Sequence, residues 1–203
     1  LYGDGFFDAF VVAVDNRTID DTWKALADSI PPHTPRHIFN YTFDGFGPAR
    51  TLVFEQAWKH FPNISHVLVA DPDWVPKMET INKMDLAKDD NMETYMFKIW
   101  DRNMMTTRMG NWLMRHVKGL TFEYYIHEIL VLPGGGPFLA TQQMTTWEVA
   151  EVESDSSWHQ TVGHGEKTGA SRSKKRMEFD LALLTREQAD PRYKDSSHTL
   201  YYL

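Results

Sequence analysis

Two aspartates separated by a single residue carry the strongest chemical signal in the sequence. Asp71 and Asp73 directly follow an apolar run at residues 67–70, within the stretch HVLVADPDWVP. Carboxylate oxygens are hard ligands that suit Mg²⁺ or Mn²⁺, particularly where substrate phosphates complete the coordination shell. The spacing therefore predicts a divalent-metal site, and a turn in which these side chains only cap the strand is the alternative.

A third aspartate occupies a similar place earlier in the chain. Asp15 follows the aromatic and β-branched run at residues 6–14, which is typical of a strand buried on both faces. In open α/β sheets, ligands bind outside the carboxyl ends of the strands. We therefore expect Asp15, Asp71 and Asp73 to lie at a ligand site rather than in the core.

The elements that position these carboxylates alternate between strand and helix. Thr18 and Asp20 are candidate N-caps, and three prolines at positions 31, 32 and 35 end the first predicted helix. The predicted elements are a strand at residues 6–14, a helix within 16–30, a strand at 36–43, a helix within 44–61 and a strand at 66–70. This alternation predicts an α/β domain with a mostly parallel sheet flanked by helices.

The second half of the chain is less regular. Strands are predicted at residues 94–100, 121–132 and 145–153. A helix is predicted at residues 171–188, with Met177, Leu181 and Leu184 on one stripe, and the residues from 190 onward begin another helix.

The composition limits the classes of function. A formal net charge of −7 argues against a general nucleic-acid binder, so an anionic substrate needs a local basic patch or a metal ion. The absence of cysteine excludes disulfides and thiolate zinc sites, which leaves oxygen and imidazole chemistry. No apolar run approaches the roughly 18 residues of a membrane span, so we expect a cytoplasmic location for this segment. Because the sequence begins at Leu1, we also expect a fragment of a longer protein.

The order of these motifs resembles the N-terminal half of GT-A fold glycosyltransferases, most closely the inverting family-two type. The first motif of that family, an aspartate followed by Ser/Thr-x-Asp-x-Thr, is matched by Asp15, Thr18, Asp20 and Thr22. The second motif, Ala-Arg at the start of a helix, and the third, DxD, are matched by Ala49, Arg50, Asp71 and Asp73. The sequence departs from the common pattern at Thr51, where asparagine is frequent, and at Trp74, where an acidic residue is frequent.

The resemblance continues toward the C-terminus. The segment YYIHEIL resembles a His-Glu segment of relatives that carry tetratricopeptide-like helices, and VGHGEKTG resembles their His-x-Gly stretch. The resemblance implies a GT-A (Rossmann-like) catalytic domain at residues 1–170 that lacks its first strand. It also implies a C-terminal helical segment at residues 171–203 that begins a helical repeat.

Roles for the aspartates follow from the resemblance. Asp15, together with Thr18 and Asp20, would bind the base or ribose of the nucleotide, and helix capping is the alternative for Asp15. Asp71 and Asp73 would hold the Mn²⁺ or Mg²⁺ that bridges the diphosphate of a UDP- or GDP-sugar. The bound ion would make the nucleoside diphosphate a competent leaving group.

The remaining donor contacts are a histidine and several basic residues. His164 would be a third metal ligand or a diphosphate contact, unless it is merely polar surface. Lys175 and Arg176 belong to a dense basic run that either meets the diphosphate or forms a solvated helix face. Arg50 has the same two interpretations, although a helix N-terminus itself favours an anion. Three tryptophans could form a sugar-stacking platform or belong to the core: Trp74, Trp100 and Trp112.

Glu128 is the candidate general base and His127 is a second catalytic candidate. An inverting transfer needs one carboxylate that removes the proton of the acceptor hydroxyl on the face opposite the leaving group. In a regular strand, His127 and Glu128 would point to opposite faces, so either the strand contains a bulge or only one of them is catalytic. Structural roles for both remain the alternative.

The sequence therefore predicts a hexosyltransferase-like enzyme. It would move a sugar from a nucleotide-sugar donor to a hydroxyl of a carbohydrate, protein or lipid acceptor, with inversion and with a divalent ion. One alternative is a nucleotidyltransferase, although the glycine-rich basic loop usual near the N-terminus of that class is not visible. The other is a non-catalytic binding or scaffold module of the same fold.

Overall fold

The computed structural model describes residues 7–70, 74–76, 94–101, 106–134, 136–137, 152–154 and 169–202. The strands are β1 (Phe10–Asp15), β2 (Arg36–Tyr41), β3 (His66–Leu68), β4 (Trp74–Pro76), β5 (Thr94–Asp101), β6 (Thr106–Arg115), β7 (Thr121–Glu123), β8 (Ile129–Leu132), β9 (Gly136–Pro137) and β10 (Val152–Ser154). The helices are α1 (Thr22–Ser29), α2 (Phe46–His60), α3 (Gly169–Ala189) and α4 (Ser197–Tyr202). The protein is therefore mixed α/β, as predicted.

These elements form two compact units. One contains β3, β4, β5, β6 and β10, and the other contains β1, β2, β7, β8, β9 and the four helices. The predicted division at residue 170 stays a prediction. In the described part of the chain, no helix is both long enough and apolar enough to cross a membrane.

The alternation of strand and helix in the first third of the chain is confirmed. β1 and β2 pair in parallel, with Phe10 opposite Arg36 and Asp15 opposite Tyr41. Helix α1 ends before Ile30, which is extended, because the residue before a proline is disfavoured in the helical conformation. β1 is less buried than predicted, since Val14 alone among its residues is fully buried.

The prediction of a mostly parallel sheet is wrong for the described strands. Antiparallel pairs join β3 to β6, β6 to β5, β10 to β4, β7 to β8 and β8 to β9. Parallel pairs join only β1 to β2 and β10 to β5 among these strands. Short connections explain part of the difference, because β5 and β6 are separated by residues 102–105 and so can pair only as a hairpin.

Two strands of the second half differ from the prediction. The strand predicted at residues 94–100 is present as β5, but its partner β6, a 10-residue strand, was not predicted. The strand predicted at residues 121–132 is interrupted between β7 and β8. Tyr124 (φ 71°) and His127 (φ 54°) in the intervening turn adopt left-handed backbone conformations that a strand cannot contain.

Helix α3 buries only one residue of the apolar stripe recognised in the sequence. Met177 and Leu181 are 71% and 57% exposed, whereas Leu184 is buried. The buried face contains Leu183, Leu184 and the fully buried Glu187. A carboxylate at a buried position does not enter a hydrophobic pattern, so the pattern indicated Leu184 but not Glu187.

One buried cluster of the unit that contains the helices lies where α3 meets the turn between β7 and β8. Its buried residues are Tyr125, Ile126, Leu183, Leu184 and Tyr193, and three half-buried aromatic residues pack against them: Phe43, Phe46 and Tyr124. Tyr125 and Ile126 of the turn at residues 124–128 are thus held in an aromatic cluster, whereas His127 is exposed.

Candidate functional site

Asp15 lies at the carboxyl end of β1, as predicted. Its carboxylate accepts hydrogen bonds from the backbone N–H of Arg17 (2.8 Å) and from the Arg17 guanidinium (2.6 and 3.0 Å). The hydrogen bond from the Arg17 side chain holds the pKa of Asp15 below its usual value. Asp15 therefore presents an ionised carboxylate at the end of the sheet, already oriented by its neighbour.

The strand ends beside Asp15 are fixed to each other. The Asn16 backbone N–H donates to the Tyr41 carbonyl (2.8 Å), and its side-chain amide donates to the Thr42 hydroxyl (2.8 Å). Thr18 closes a tight turn by donating its N–H to the Asp15 carbonyl (2.9 Å). These bonds make the loop after β1 a defined structure rather than a free connection.

Asp20, rather than Asp15, binds the first residue of α1, whose N-cap position is Asp21. The Asp20 carboxylate accepts the backbone N–H (3.0 Å) and the hydroxyl (2.5 Å) of Thr22, the first residue of the helix. Asp21 makes no side-chain cap hydrogen bond, and neither Asp15 nor the predicted N-caps Thr18 and Asp20 occupies the N-cap position. The four residues that match one motif, Asp15, Thr18, Asp20 and Thr22, run from the last residue of β1 to the first residue of α1.

The N-terminus of α2 contacts the turn at residues 124–128. The Phe46 N–H donates to the Tyr125 carbonyl (2.7 Å) and the Gly47 N–H donates to the Tyr124 carbonyl (3.2 Å). The third residue, Pro48, has no N–H to offer. The expectation that this helix end attracts an anion is therefore not supported, because its first donors already bind the turn.

Two glycines allow this close approach. A Cβ on Gly47 would lie 2.2 Å from the Tyr124 carbonyl oxygen. A Cβ on Gly45, which has φ +120°, would lie 2.7 Å from the Tyr125 ring. These two glycines thus allow α2 to dock on the segment that carries His127 and Glu128.

Arg50 and Glu128 form an ion pair. The Arg50 Nε lies 2.5 Å from Glu128 Oε1, and the two side chains are 14% and 12% exposed. These residues are 78 positions apart in the sequence. Two residues selected for different roles, a diphosphate contact and a general base, are therefore neighbours at one half-buried site.

Thr51, the first departure from the family pattern, joins α2 to β7 beside the ion pair. Its hydroxyl accepts the Phe122 N–H (2.7 Å) and donates to the Phe122 carbonyl (3.2 Å). The ring of Phe122 also packs edge-on against Phe54 of α2. Thr51 therefore fastens α2 to β7 one residue after Arg50.

His127 is exposed and its ring stacks on Tyr202 of α4, with the centroids 4.0 Å apart. Its carbonyl lies 2.9 Å from Nε2 of His198, which therefore carries the proton on that nitrogen. Because His127 adopts a left-handed conformation, the alternation of a regular strand does not apply to His127 and Glu128. The sequence predicted either a bulge in a strand or only one catalytic residue, and the structure has a turn at this place instead of a strand.

Glu187 is a site residue that sequence reasoning missed. It is fully buried, and it accepts the Tyr125 N–H at Oε2 (2.7 Å) and the Thr199 hydroxyl at Oε1 (2.7 Å). His198 Nδ1 lies 3.8 Å from the same Oε1. A single carboxylate of α3 thus connects the turn to α4, and no local pattern in the sequence indicated it.

Arginine and acidic residues surround the same core. Arg186 pairs with Asp44 and lies over the Tyr125 ring, 4.3 Å from its centroid. The Tyr125 hydroxyl donates to Asp190 (3.0 Å), whose carboxylate also binds Arg192 (2.6 Å). The hydrogen bonds from Arg186 and Arg192 hold the pKa values of Asp44 and Asp190, respectively, below their usual range.

Several predicted site residues lie outside the described structure. They are Asp71, Asp73 and His164, together with the side chains of Lys175, Arg176, Trp74, Trp100 and Trp112. In the part of the chain that is described, no three His, Asp or Glu side chains cluster as metal ligands. The predicted metal site therefore stays a prediction.

The comparisons with known proteins assign no family. No protein-family model matches the sequence, and no curated protein matches it significantly.

Proposed function

We propose that this chain is a metal-dependent inverting glycosyltransferase with a GT-A-like catalytic domain. The observation that carries the proposal is the pairing of Arg50 with Glu128, because two separate motifs of the sequence indicate these residues and the fold brings them into contact. Asp15 supports it from the end of β1, where a nucleotide would meet a preoriented carboxylate.

In this proposal, Glu128 removes the proton of the acceptor hydroxyl as its oxygen attacks the anomeric carbon. The bond to the diphosphate breaks on the opposite face of the sugar, which inverts the configuration. Arg50 orients the Glu128 carboxylate through the charge-assisted hydrogen bond from its Nε–H to Oε1. Asp15 binds the base or ribose of the UDP- or GDP-sugar.

Asp71, Asp73 and His164 would hold the Mn²⁺ or Mg²⁺. Oxygen and imidazole ligands fit these ions, and the chain contains no cysteine that would favour a softer metal. When bound, the ion would offset the charge that develops on the departing diphosphate.

The test is a product assay on the purified chain. It would be incubated with UDP- and GDP-sugars, Mn²⁺ and a carbohydrate acceptor, and released nucleoside diphosphate and pyrophosphate would be measured separately. We expect nucleoside diphosphate and a glycoside of inverted configuration by NMR. Pyrophosphate would instead indicate a nucleotidyltransferase.

Two variants and a control make this assay specific. Asp73→Ala and Glu128→Gln should each abolish most of the turnover, because one loses a metal ligand and the other the general base. Asp28→Asn removes a carboxylate of an exposed ion pair on α1 and should change nothing. Ligand binding without any turnover would favour the non-catalytic module.

A further inference from the structure

The turn at residues 124–128 adopts a backbone that requires external support. Tyr124 (φ 71°) and His127 (φ 54°) are both left-handed, and neither is glycine. Such conformations are costly for residues with large side chains, and they persist only where surrounding contacts hold them. Glu128, which follows directly, takes its position from this turn.

Buried contacts from α3 and α4 provide much of that support. Glu187 is 0% exposed, and both of its carboxylate oxygens accept hydrogen bonds, one from the Tyr125 N–H and one from the Thr199 hydroxyl. Thr199 is itself 0% exposed. Since a buried donor without a partner is costly, the carboxylate fixes the backbone at Tyr125.

We propose that Glu187 is a positioning residue for Glu128. It acts through the Tyr125 N–H, three residues before Glu128, and does not contact the reacting atoms. The consequence for catalysis rests on the proposed function, whereas the consequence for the turn does not. Helices α3 and α4 are thus part of the catalytic unit rather than an appendage with no influence on it.

The chemistry of the contact defines the variants. Glu187→Gln keeps one oxygen that accepts the Tyr125 N–H, and its amide can donate to the Thr199 hydroxyl, which can reverse its role. Glu187→Met keeps an unbranched side chain of similar length but removes both acceptors. Thr199→Val removes only the second donor and leaves the bond to Tyr125 in place.

The first measurement is amide hydrogen exchange on the whole chain. In Glu187→Met, exchange at residues 125–128 should accelerate by about tenfold or more, because the Tyr125 bond is lost. Exchange within α2, at Phe54 and Ala57, should stay as in the wild type. Glu187→Gln and Thr199→Val should remain close to the wild type. Unchanged exchange at residues 125–128 in Glu187→Met would overturn the proposal.

The second measurement is the kinetics of sugar transfer. Glu187→Met should lower kcat by about tenfold to a hundredfold, as expected when a catalytic group is misplaced, and Glu187→Gln should restore it. The KM for the donor should stay within about twofold, because the proposed donor contacts lie elsewhere. A faster-exchanging turn with an unchanged kcat would overturn the positioning role. If the wild type transfers nothing, the proposed function fails, and the exchange measurement alone decides whether Glu187 holds the turn.

Discussion

At the scale of single residues, the contact between Glu128 and Arg50 determines both the proposed chemistry and part of the stability. We expect Glu128→Gln to lower the transfer rate by about 10²- to 10⁴-fold, because the amide cannot take a proton. The amide oxygen can still accept the Arg50 Nε–H, so the free energy of unfolding should fall by only about 1 kcal/mol. Steady-state kinetics and urea denaturation measure the two effects.

Glu123→Gln is the matched control for this prediction. It makes the same chemical change at the end of β7, five positions before Glu128, and should leave the transfer rate unaltered. If Glu128→Gln were nearly as active as the wild type, Glu128 would not be the general base. The structural role in the ion pair with Arg50 would then be its main role.

The sequence identified some of these residues and not others for a physical reason. Asp15, Arg50 and Glu128 were selected because short motifs mark them, and the structure places Arg50 and Glu128 in contact. Glu187 was missed because a carboxylate on a helix is usually solvated. Its burial depends on Tyr125, 62 positions away, and a local pattern contains no information about that partner.

At the scale of elements, the docking of α2 on the turn depends on Gly47. We expect Gly47→Ala to lower the free energy of unfolding by about 1–3 kcal/mol, because the new Cβ would overlap the Tyr124 carbonyl. By helix propensity alone, the same change would stabilise α2 by about 1 kcal/mol. Chemical denaturation therefore tests the sign of the effect.

Ala49→Gly provides the comparison within the same helical turn. It should lower the free energy of unfolding by about 1 kcal/mol, because glycine has a lower helix propensity than alanine. The measured loss gives the size of the gain that Gly47→Ala would show if the new Cβ met no overlap. An increase in stability for Gly47→Ala would show that α2 does not approach Tyr124 as closely as described.

We expect a histidine pair at the other end of α2 to make the stability depend on pH. The rings of His37 on β2 and His60 stack with their centroids 3.7 Å apart. The pKa of His60 is lowered from 6.5, first by loss of hydration and then by His37 and Lys59. Because the unfolded chain binds the proton more tightly, this contribution to stability is present above pH 6.5 and is lost as the pH falls below it.

We expect His60→Phe to reduce that acid sensitivity. Phenylalanine preserves the stacking on His37 but cannot be protonated, so the variant should lose less stability than the wild type between pH 7 and pH 5. Unfolding free energies measured across this range, wild type minus variant, isolate the contribution of His60. A difference that does not change with pH would contradict the assignment.

The periodicity of the sequence predicted those elements whose formation is local. α1, β2 and α2 were predicted because their apolar spacing and the prolines within or beside them are local features of the sequence. The predictions of a continuous strand at residues 121–132 and of a mostly parallel sheet were wrong. Both depend on partners distant in sequence, since the turn after β7 is fixed by α2 and α3 rather than by its own residues.

At the scale of the whole molecule, the charge of the chain constrains how it could bind a nucleotide diphosphate. With a net charge of −7, the chain repels an anionic donor unless a cation intervenes. Asp15 binds Arg17 in the structure, and Glu128 binds Arg50, so these carboxylates are not the proposed metal ligands. The proposal therefore requires that nucleotide affinity depend on Mn²⁺ and on Asp71 and Asp73.

The most direct test of this requirement is a thermal-shift titration of the chain with UDP and GDP, with and without Mn²⁺. Wild type, Asp73→Ala and the control Asp28→Asn would be compared. At a nucleotide concentration about 100-fold above Kd, binding should add about 2.7 kcal/mol and raise Tm by about 5–10 °C. We expect this rise only with Mn²⁺ present, in the wild type and in Asp28→Asn but not in Asp73→Ala. An equal rise in Asp73→Ala, or no rise with either nucleotide under any condition, would contradict a metal-dependent nucleotide-sugar site.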